Sequence, residues 1–235
     1  MKLRSIALYI ALSLSNFTMA FASESNPLFV EETSDQLQLI YKFLGGDVDT
    51  ILKMKPKRIL LLGDAGVRSI ADQIGPLLRK SGIEIYKTDF SIEGKKFNDD
   101  KKIYEMHVNH LKPLPFRDNY FDLIIGSRIL CQCNTKSLST TCGGINMARS
   151  GQLEEFMYHV ARVLNKDNEK SIAVLGGYDH KISVMESFRT SRAFESSVEK
   201  VARYYEETFN FLREVHVEEG LQMTRVGLII GNYDI

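Results

Sequence analysis

Short runs of consecutive apolar residues alternate along the chain with longer segments in which apolar residues recur every three or four positions. The runs predict strands buried on both faces, and the periodic segments predict amphipathic helices. The predicted strands are 58–62, 83–87, 103–108, 121–126 and 171–175, followed by a closing antiparallel pair, 211–217 and 223–230. The predicted helices are 35–43, 47–54, 67–80, 152–165 and 191–208.

This order of elements predicts the fold class. Alternating strands and helices with a terminal hairpin indicate a doubly wound α/β domain. We expect a mostly parallel, seven-stranded Rossmann-like sheet with helices on both faces and a C-terminal antiparallel hairpin. A chain of 235 residues is long enough for one such domain with a sizeable core.

The first 22 residues carry the three parts of an export signal. Lys2 and Arg4 supply positive charge, residues 6–14 are apolar but too short to span a bilayer, and Ala20-Phe21-Ala22 places small residues at the cleavage site. We therefore expect cleavage near Ala22 and a periplasmic or secreted mature chain without a membrane span. The alternatives are an uncleaved membrane anchor and an N-terminal helix of a cytosolic fold. The predicted domains are a signal peptide (1–22), an N-terminal helical extension (23–56) and the α/β domain (57–235).

The net charge of the chain limits the kinds of partner that it is expected to bind. The chain has 30 Lys and Arg against 30 Asp and Glu, so its formal net charge is zero. Nucleic-acid binding usually needs a basic surface, and this balance argues against it.

The first strand–turn–helix unit contains a candidate ligand loop. Residues 59–69 read ILLLGDAGVRS, in which small residues let the backbone approach a ligand and the following helix is expected to present free N–H groups. Asp89 follows the second strand. An acid at this position accepts hydrogen bonds from ribose hydroxyls in nucleoside-binding α/β folds, while a turn or capping role is the alternative.

Two further segments carry a family resemblance. Residues 114–130 read LPFRDNYFDLIIGSRIL, and residues 156–177 read FMYHVARVLNKDNEKSIAVLGG. Together with the glycine turn and Asp89, they resemble the class I S-adenosylmethionine-dependent methyltransferases, in particular the small-molecule (type 11-like) subgroup. The resemblance covers roughly residues 57–177, and LPF…FDLII…RIL is its most specific part.

The resemblance implies S-adenosylmethionine as cofactor and a set of cofactor-binding positions. The glycine loop of the family lies under the methionine moiety, the acid after the second strand binds the ribose, and residues after the third strand bracket the adenine. A residue after the fourth strand lines the floor beside the methyl group. The corresponding residues here are Gly63, Asp64, Ala65 and Gly66 for the loop, Asp89 for the ribose, Asn109 and His110 for the adenine, and Ser127 for the floor.

The sequence also differs from the family pattern. Leu61 stands where the first strand usually has an acid, Ala65 and Val67 replace loop glycines, and His110 replaces a carboxylate. Residues 91–102 form a polar link where a helix commonly follows the second strand. The catalytic residues, the methyl acceptor and the oligomeric state are not predicted. Two functions follow: methyl transfer to a small-molecule or protein acceptor, or, as the alternative, an exported non-enzymatic binding or structural protein.

Three cysteines cluster after the fourth strand, at Cys131, Cys133 and Cys142. In an oxidising compartment we expect one disulfide that pairs Cys142 with Cys131 or Cys133, because a Cys131–Cys133 bridge would close a strained ring. A zinc site with His110 as fourth ligand and a reactive thiol are the alternatives, although the spacing matches no common zinc finger, so no metal site is predicted.

Overall fold

The computed structural model describes residues 42–64, 69–78, 81–99, 103–131, 145–146, 150–180, 184–205, 209–218 and 223–231. The predicted signal peptide, Ala65, Gly66, Cys133 and Cys142 lie outside these residues. The strands are β1 (Arg58–Leu62), β2 (Glu84–Asp89), β3 (Lys95–Asn98), β4 (Ile103–His107), β5 (Leu123–Cys131), β6 (Ile145–Asn146), β7 (Ile172–His180), β8 (Asn210–Glu218) and β9 (Met223–Gly231). The helices are α1 (Val48–Met54), α2 (Ile70–Leu78), α3 (Ser150–Val163) and α4 (Val184–Tyr204).

All nine strands belong to one sheet in the order β3-β4-β2-β1-β5-β7-β9-β8, with β6 paired to β5. The strands from β4 to β7 along this order are parallel to one another. β9 runs antiparallel to both β7 and β8 and closes the chain as a hairpin. The predicted fold class is confirmed, since this is the doubly wound, methyltransferase-like sheet that the resemblance implies. The short strands β3 and β6 are additions to the seven that were expected.

The centre of the sheet is buried on both faces, which explains why β1 and the first half of β5 are continuous apolar runs rather than alternating ones. One face packs against α3 and α4, and its largest fully buried side chains are Phe121, Phe156 and Phe194. The other face packs against α1 and α2 with the segment before α1, where Phe43 and Ile51 are buried.

The connection from β2 to β4 contains a strand where a doubly wound fold usually has a helix. The segment between them has only three large apolar residues, Phe90, Ile92 and Phe97, which are too few to give a helix a continuous apolar face to bury. The chain instead forms β3, which pairs antiparallel with β4 at the edge of the sheet. Phe97 packs on Tyr104 at 4.7 Å between ring centroids, and Lys96 pairs with Glu105 at 3.1 Å. The expected polar link is thus an edge strand.

Candidate functional site

The strand order reverses between β1 and β5, because the chain winds from β1 towards β4 and then returns to continue at β5. In open α/β sheets, ligands bind at such a switch point, outside the carboxyl ends of the strands. The carboxyl ends of β1, β2, β4 and β5 bring together Gly63, Asp64, Asp89, Asn109, His110 and Ser127 along this edge. We call this region the switch-point crevice.

Gly63 turns the chain directly after β1 and has φ +65°, in the left-handed region that favours glycine. A Cβ atom at Gly63 would also lie 3.3 Å from the Cδ1 atom of Ile129. At Gly126, a Cβ atom would lie 2.7 Å from the Cγ2 atom of the same isoleucine. Ile129 is 1% exposed, so the two glycines make room for an apolar side chain at the bottom of the crevice.

Asp64 directs its carboxylate to the start of α2. Its Oδ1 accepts from the Ile70 N–H at 2.7 Å, and its Oδ2 accepts from the Ala71 N–H and the Ser69 hydroxyl, both at 2.8 Å. Burial raises the pKa of this carboxyl, whereas these hydrogen bonds and the nearby Lys87 oppose that rise. Since the three bonds are all donated to the carboxylate, they favour its ionised form. The expectation that this helix start presents free N–H groups is therefore wrong at Ile70 and Ala71.

Asp89 ends β2 and is half-buried. Its Oδ1 accepts from both the backbone N–H and the hydroxyl of Ser91, at 2.7 and 2.6 Å. Asp89 thus has the turn role that the sequence offered as the alternative to ribose binding. The turn uses only one of the two carboxylate oxygens. Phe90, the next residue, is 57% exposed and lies 5.1 Å from His107 between ring centroids. An acid and an exposed aromatic ring thus stand side by side at the crevice.

Asn109 and His110 follow β4 but have different environments. The Asn109 side chain accepts from the Leu111 N–H at 3.0 Å and forms a turn. His110 is 3% exposed, and its Nε2 lies 3.2 Å from the hydroxyl of Thr88. That hydroxyl donates to the Leu61 carbonyl at 2.9 Å, so the His110 Nε2 carries the proton and donates to Thr88. His110 therefore ties the turn after β4 to the ends of β2 and β1.

Thr88 was not singled out from the sequence, because a threonine within a strand is ordinary and its partner lies 22 residues away. The exposed apolar residues Phe90 and Leu111 were missed as well. Their signal is a large apolar side chain within a few residues after a strand, which is visible only once the strand end is known.

We expect the stability of the protein to depend on pH through His110. Burial lowers its pKa from 6.5 to about 4, with Asp89 opposing this shift and His107 adding to it. The unfolded chain therefore binds more protons than the folded one between these values, and stability is lost as the pH falls. This group alone should lower the free energy of unfolding by about 2 kcal/mol between pH 7.5 and pH 5.

Urea unfolding of wild type and His110→Gln at both pH values measures this effect. The variant should lose most of the wild-type difference between the two pH values, whereas the exposed His107 provides the matched control, His107→Gln, which should retain it. An equal pH dependence in wild type and His110→Gln would show that His110 is not the titrating group.

The carboxyl half of β5 is irregular. Gly126 pairs with Leu175 and Leu130 pairs with Gly177, so residues 127–129 of β5 lie opposite Gly176 alone. Such bulges redirect side chains and are common next to active sites. Ser127 is half-buried in this bulge, and its carbonyl oxygen lies 3.4 Å from where a Cβ atom of Gly176 would be.

Cys131 is the last residue of β5 and pairs with Asn146 of β6 and Tyr178 of β7 through the backbone. Cys142, which is predicted to pair with Cys131 or Cys133, lies outside the described residues together with Cys133, so the disulfide stays a prediction. Within the described ranges, no group of three or more His, Cys, Asp or Glu side chains could hold a metal ion. Over the same part of the chain, no helix has the length and apolar character needed to cross a membrane.

A second depression lies at the opposite, amino edge of the sheet. This open cleft of about 500 Å³ is lined by Lys57, Asp122, Asn165, Asp167, Asn168, Glu169 and Lys170. Its buried acid, Asp122, already accepts four hydrogen bonds: from the Lys57 and Arg58 N–H groups and from the Asn165 and Asn168 side chains. Because these groups satisfy one another, the switch-point crevice is the better candidate for a ligand site.

No protein-family model and no curated protein sequence matches the chain. Among solved structures, it is similar to the CurJ carbon methyltransferase, with 16% identity and a TM-score of 0.45 over 83% of this chain and 55% of that one. It is also similar to the plantazolicin methyltransferase BpumL in complex with a desmethylPZN analogue and SAH, with 12% identity and a TM-score of 0.47 over 85% and 92% of the two chains. For an O-methyltransferase from Bacillus cereus in complex with SAH, the identity is 10% and the TM-score 0.39, over 95% and 90%. The chain spans about half the length of the CurJ structure.

Proposed function

We propose that the chain is a methyltransferase that binds S-adenosylmethionine in the switch-point crevice. The observation that carries this proposal is the placement of the Gly63 turn and Asp89 on adjacent strand ends beside the point where the strand order reverses. A nucleoside needs such an arrangement, with close backbone approach at the turn and a carboxylate for the ribose hydroxyls.

The residues of the crevice fit a nucleoside in three respects. Only the Oδ1 atom of Asp89 accepts from Ser91 in the turn. The Oδ2 atom is therefore placed to accept from a ribose hydroxyl. Phe90 presents an exposed ring next to this acid, as a purine base requires for stacking. Ile129 supplies an apolar floor below Gly63.

When bound, S-adenosylmethionine supplies an electrophilic methyl group on a sulfonium. The role of the protein is to hold the methyl donor and the acceptor in line, and positioning of this kind accounts for much of the rate enhancement in such transfers. The β5 bulge at Ser127 lies on the side of the crevice away from Asp89 and suits an acceptor-facing position. The proposal assigns no general base, and it leaves the acceptor as a small molecule or a protein side chain.

Isothermal titration of the protein with S-adenosylmethionine and S-adenosylhomocysteine tests the proposal. We expect both to bind, and Asp89→Ala to weaken binding by about tenfold or more, because a ribose hydroxyl then loses a charged acceptor. Asp167→Ala, which removes an exposed carboxylate at the amino edge of the same sheet, is the matched control and should bind like wild type. Absence of binding by either compound at millimolar concentration would remove the proposal, and unchanged affinity in Asp89→Ala would place the site elsewhere.

A second candidate is an exported binding or structural protein without enzymatic activity. It is favoured by the predicted export signal in residues 1–22, because S-adenosylmethionine is made in the cytosol and an exported enzyme would need a supply. Mass spectrometry of the protein from its native compartment tests export, with a mature mass that begins at Ser23 as the expected result. A mass that includes residues 1–22 would contradict it.

A further inference from the structure

The start of α2 has no N–H group left for a ligand. The first four N–H groups of a helix have no partner within the helix, which makes a helix start a binding site for phosphate. In α2, the N–H groups of Ile70 and Ala71 donate to Asp64, as described above. The next two, of Asp72 and Gln73, donate to the hydroxyl and the carbonyl oxygen of Ser69, at 3.2 and 3.3 Å.

Asp64 also lies next to the proposed ribose site. Its backbone N–H donates to the Thr88 carbonyl at 3.1 Å, one residue before Asp89. In nucleotide-binding α/β folds, the ribose lies on the acid after the second strand, and the 5′ phosphates extend to the helix that follows the first strand. Here a group attached to the ribose 5′ position would meet, at the start of α2, the Asp64 carboxylate instead of free N–H groups of Ile70 and Ala71.

The nearest described cation, Lys87, offsets the charge at the helix start only in part. Lys87 is 7% exposed, and its Nζ pairs with Asp72 at 3.2 Å, so it faces a second carboxylate of the same helix turn. Among the residues that the structure describes here, the three acids Asp64, Asp72 and Asp89 outnumber the one cation, Lys87. A phosphate would meet repulsion there, whereas a neutral or cationic group would not.

We propose that Asp64 is a specificity-determining residue that restricts the crevice to nucleosides whose 5′ substituent is neutral or positively charged and excludes 5′-phosphorylated nucleotides. The nucleoside part of this inference rests on the proposed function. The closed helix start does not rest on the proposed function, because it follows from the hydrogen bonds of α2 alone.

Titration of the protein with adenosine and with adenosine 5′-monophosphate tests the nucleoside part. We expect wild type to bind adenosine about tenfold more tightly than the monophosphate, and Asp64→Asn, which removes the charge at similar shape, to bring the two affinities within about threefold of each other. The matched control is Asp47→Asn. Asp47 caps α1 by accepting from the Thr50 N–H at 2.8 Å, so this variant also removes a capping carboxylate, but outside the crevice.

Thermal unfolding with inorganic pyrophosphate tests the closed helix start without any nucleoside. Asp64→Ser shortens the side chain and frees the N–H groups of Ile70 and Ala71, so pyrophosphate should raise the unfolding temperature of this variant by several degrees. Wild type and Asp47→Ser should show no such shift. Circular dichroism confirms that each variant is folded before it is compared.

The two experiments separate the inference from the proposed function. If wild type binds neither adenosine nor S-adenosylhomocysteine, while Asp64→Ser responds to pyrophosphate, the proposed function falls and the closed helix start stands. If adenosine binds and its advantage over the monophosphate is unchanged in Asp64→Asn, the crevice stands and the role of Asp64 is overturned. A wild-type chain that is stabilised by pyrophosphate as strongly as Asp64→Ser overturns the closed helix start.

Discussion

Replacing Asp122 by alanine is expected to lower the free energy of unfolding by about 4 kcal/mol, the largest effect of any single substitution proposed here. Asp122 is 4% exposed, and its carboxylate accepts from the N–H groups of Lys57 and Arg58 and from the side chains of Asn165 and Asn168. It thus joins the start of β1, the start of β5 and the turn before β7. Alanine would leave four donors without their acceptor at a partly buried position, and unsatisfied donors are costly.

Chemical unfolding of wild type, Asp122→Ala and Asp122→Asn measures this cost. Burial alone would raise the pKa of the Asp122 carboxyl, but its four hydrogen bonds outweigh that and hold the pKa below its usual range. The stabilisation is therefore complete above about pH 4 and is lost as the pH falls through the lowered folded-state value. The difference between wild type and Asp122→Asn should accordingly shrink at low pH. Asp167→Ala, which removes an exposed carboxylate from the turn before β7, should cost less than about 1 kcal/mol. An equal cost for Asp167→Ala would contradict the role given to Asp122.

The position of Asp122 changes the meaning of the most specific sequence motif. The FD of LPF…FDLII is Phe121-Asp122, and Phe121 pairs with Leu164 of the RVL segment across the amino edge of the sheet. The carboxylate of Asp122 lies at that same edge. The FD pair and the RVL segment therefore stabilise the fold at the edge opposite to the switch-point crevice. This part of the motif identifies the architecture, and the inference of a cofactor rests on Gly63 and Asp89 instead.

The central strands were predictable because they are short apolar runs buried on both faces, whereas the polar edge strand β3 and the two-residue β6 were not predicted. β1 matches its predicted range, 58–62, and its last four residues are buried. The ends of the helices were less certain: α4 begins at Val184, seven residues before the predicted start at 191, because polar residues among its first positions hide the periodicity. α1 begins at Val48, one residue after the predicted start at 47, because Asp47 caps the helix by accepting from the Thr50 N–H.

Two features of the crevice depended on contacts that no local pattern contains. The role of Asp64 requires that its side chain reach Ile70 and Ala71 across the turn, and the neighbouring residues alone do not specify that direction. The bulge at residues 127–129 arises from the pairing of β5 with β7, in which these three residues lie opposite the single residue Gly176. Sequence spacing fixes which residues reach the edge of the sheet, whereas side-chain direction there is decided by tertiary contacts.

Arg162, the arginine of the RVL segment, should have the second largest effect on stability. Its Nη1 donates to the Phe116 carbonyl at 2.9 Å and to the Asp118 carboxylate at 2.6 Å, and its Nη2 donates to the Leu114 carbonyl at 2.7 Å. One guanidinium thus holds the whole LPF segment against the end of α3. We expect Arg162→Ala to lower the free energy of unfolding by about 3 kcal/mol, because two partly buried carbonyl oxygens lose their donors.

Arg162→Lys and Asp118→Ala separate the carbonyl contacts from the ion pair. Asp118 is 69% exposed, so its pair with Arg162 should contribute less than about 1 kcal/mol, and Asp118→Ala should be nearly neutral. Lysine keeps the charge but lacks the planar fork that reaches both carbonyls, so Arg162→Lys should recover less than half of the loss. Arg203→Ala, in the last turn of α4, is the matched control for an exposed arginine near a helix end. If Asp118→Ala proved as costly as Arg162→Ala, the ion pair would carry the stabilisation and the LPF segment would be held by charge rather than by its backbone.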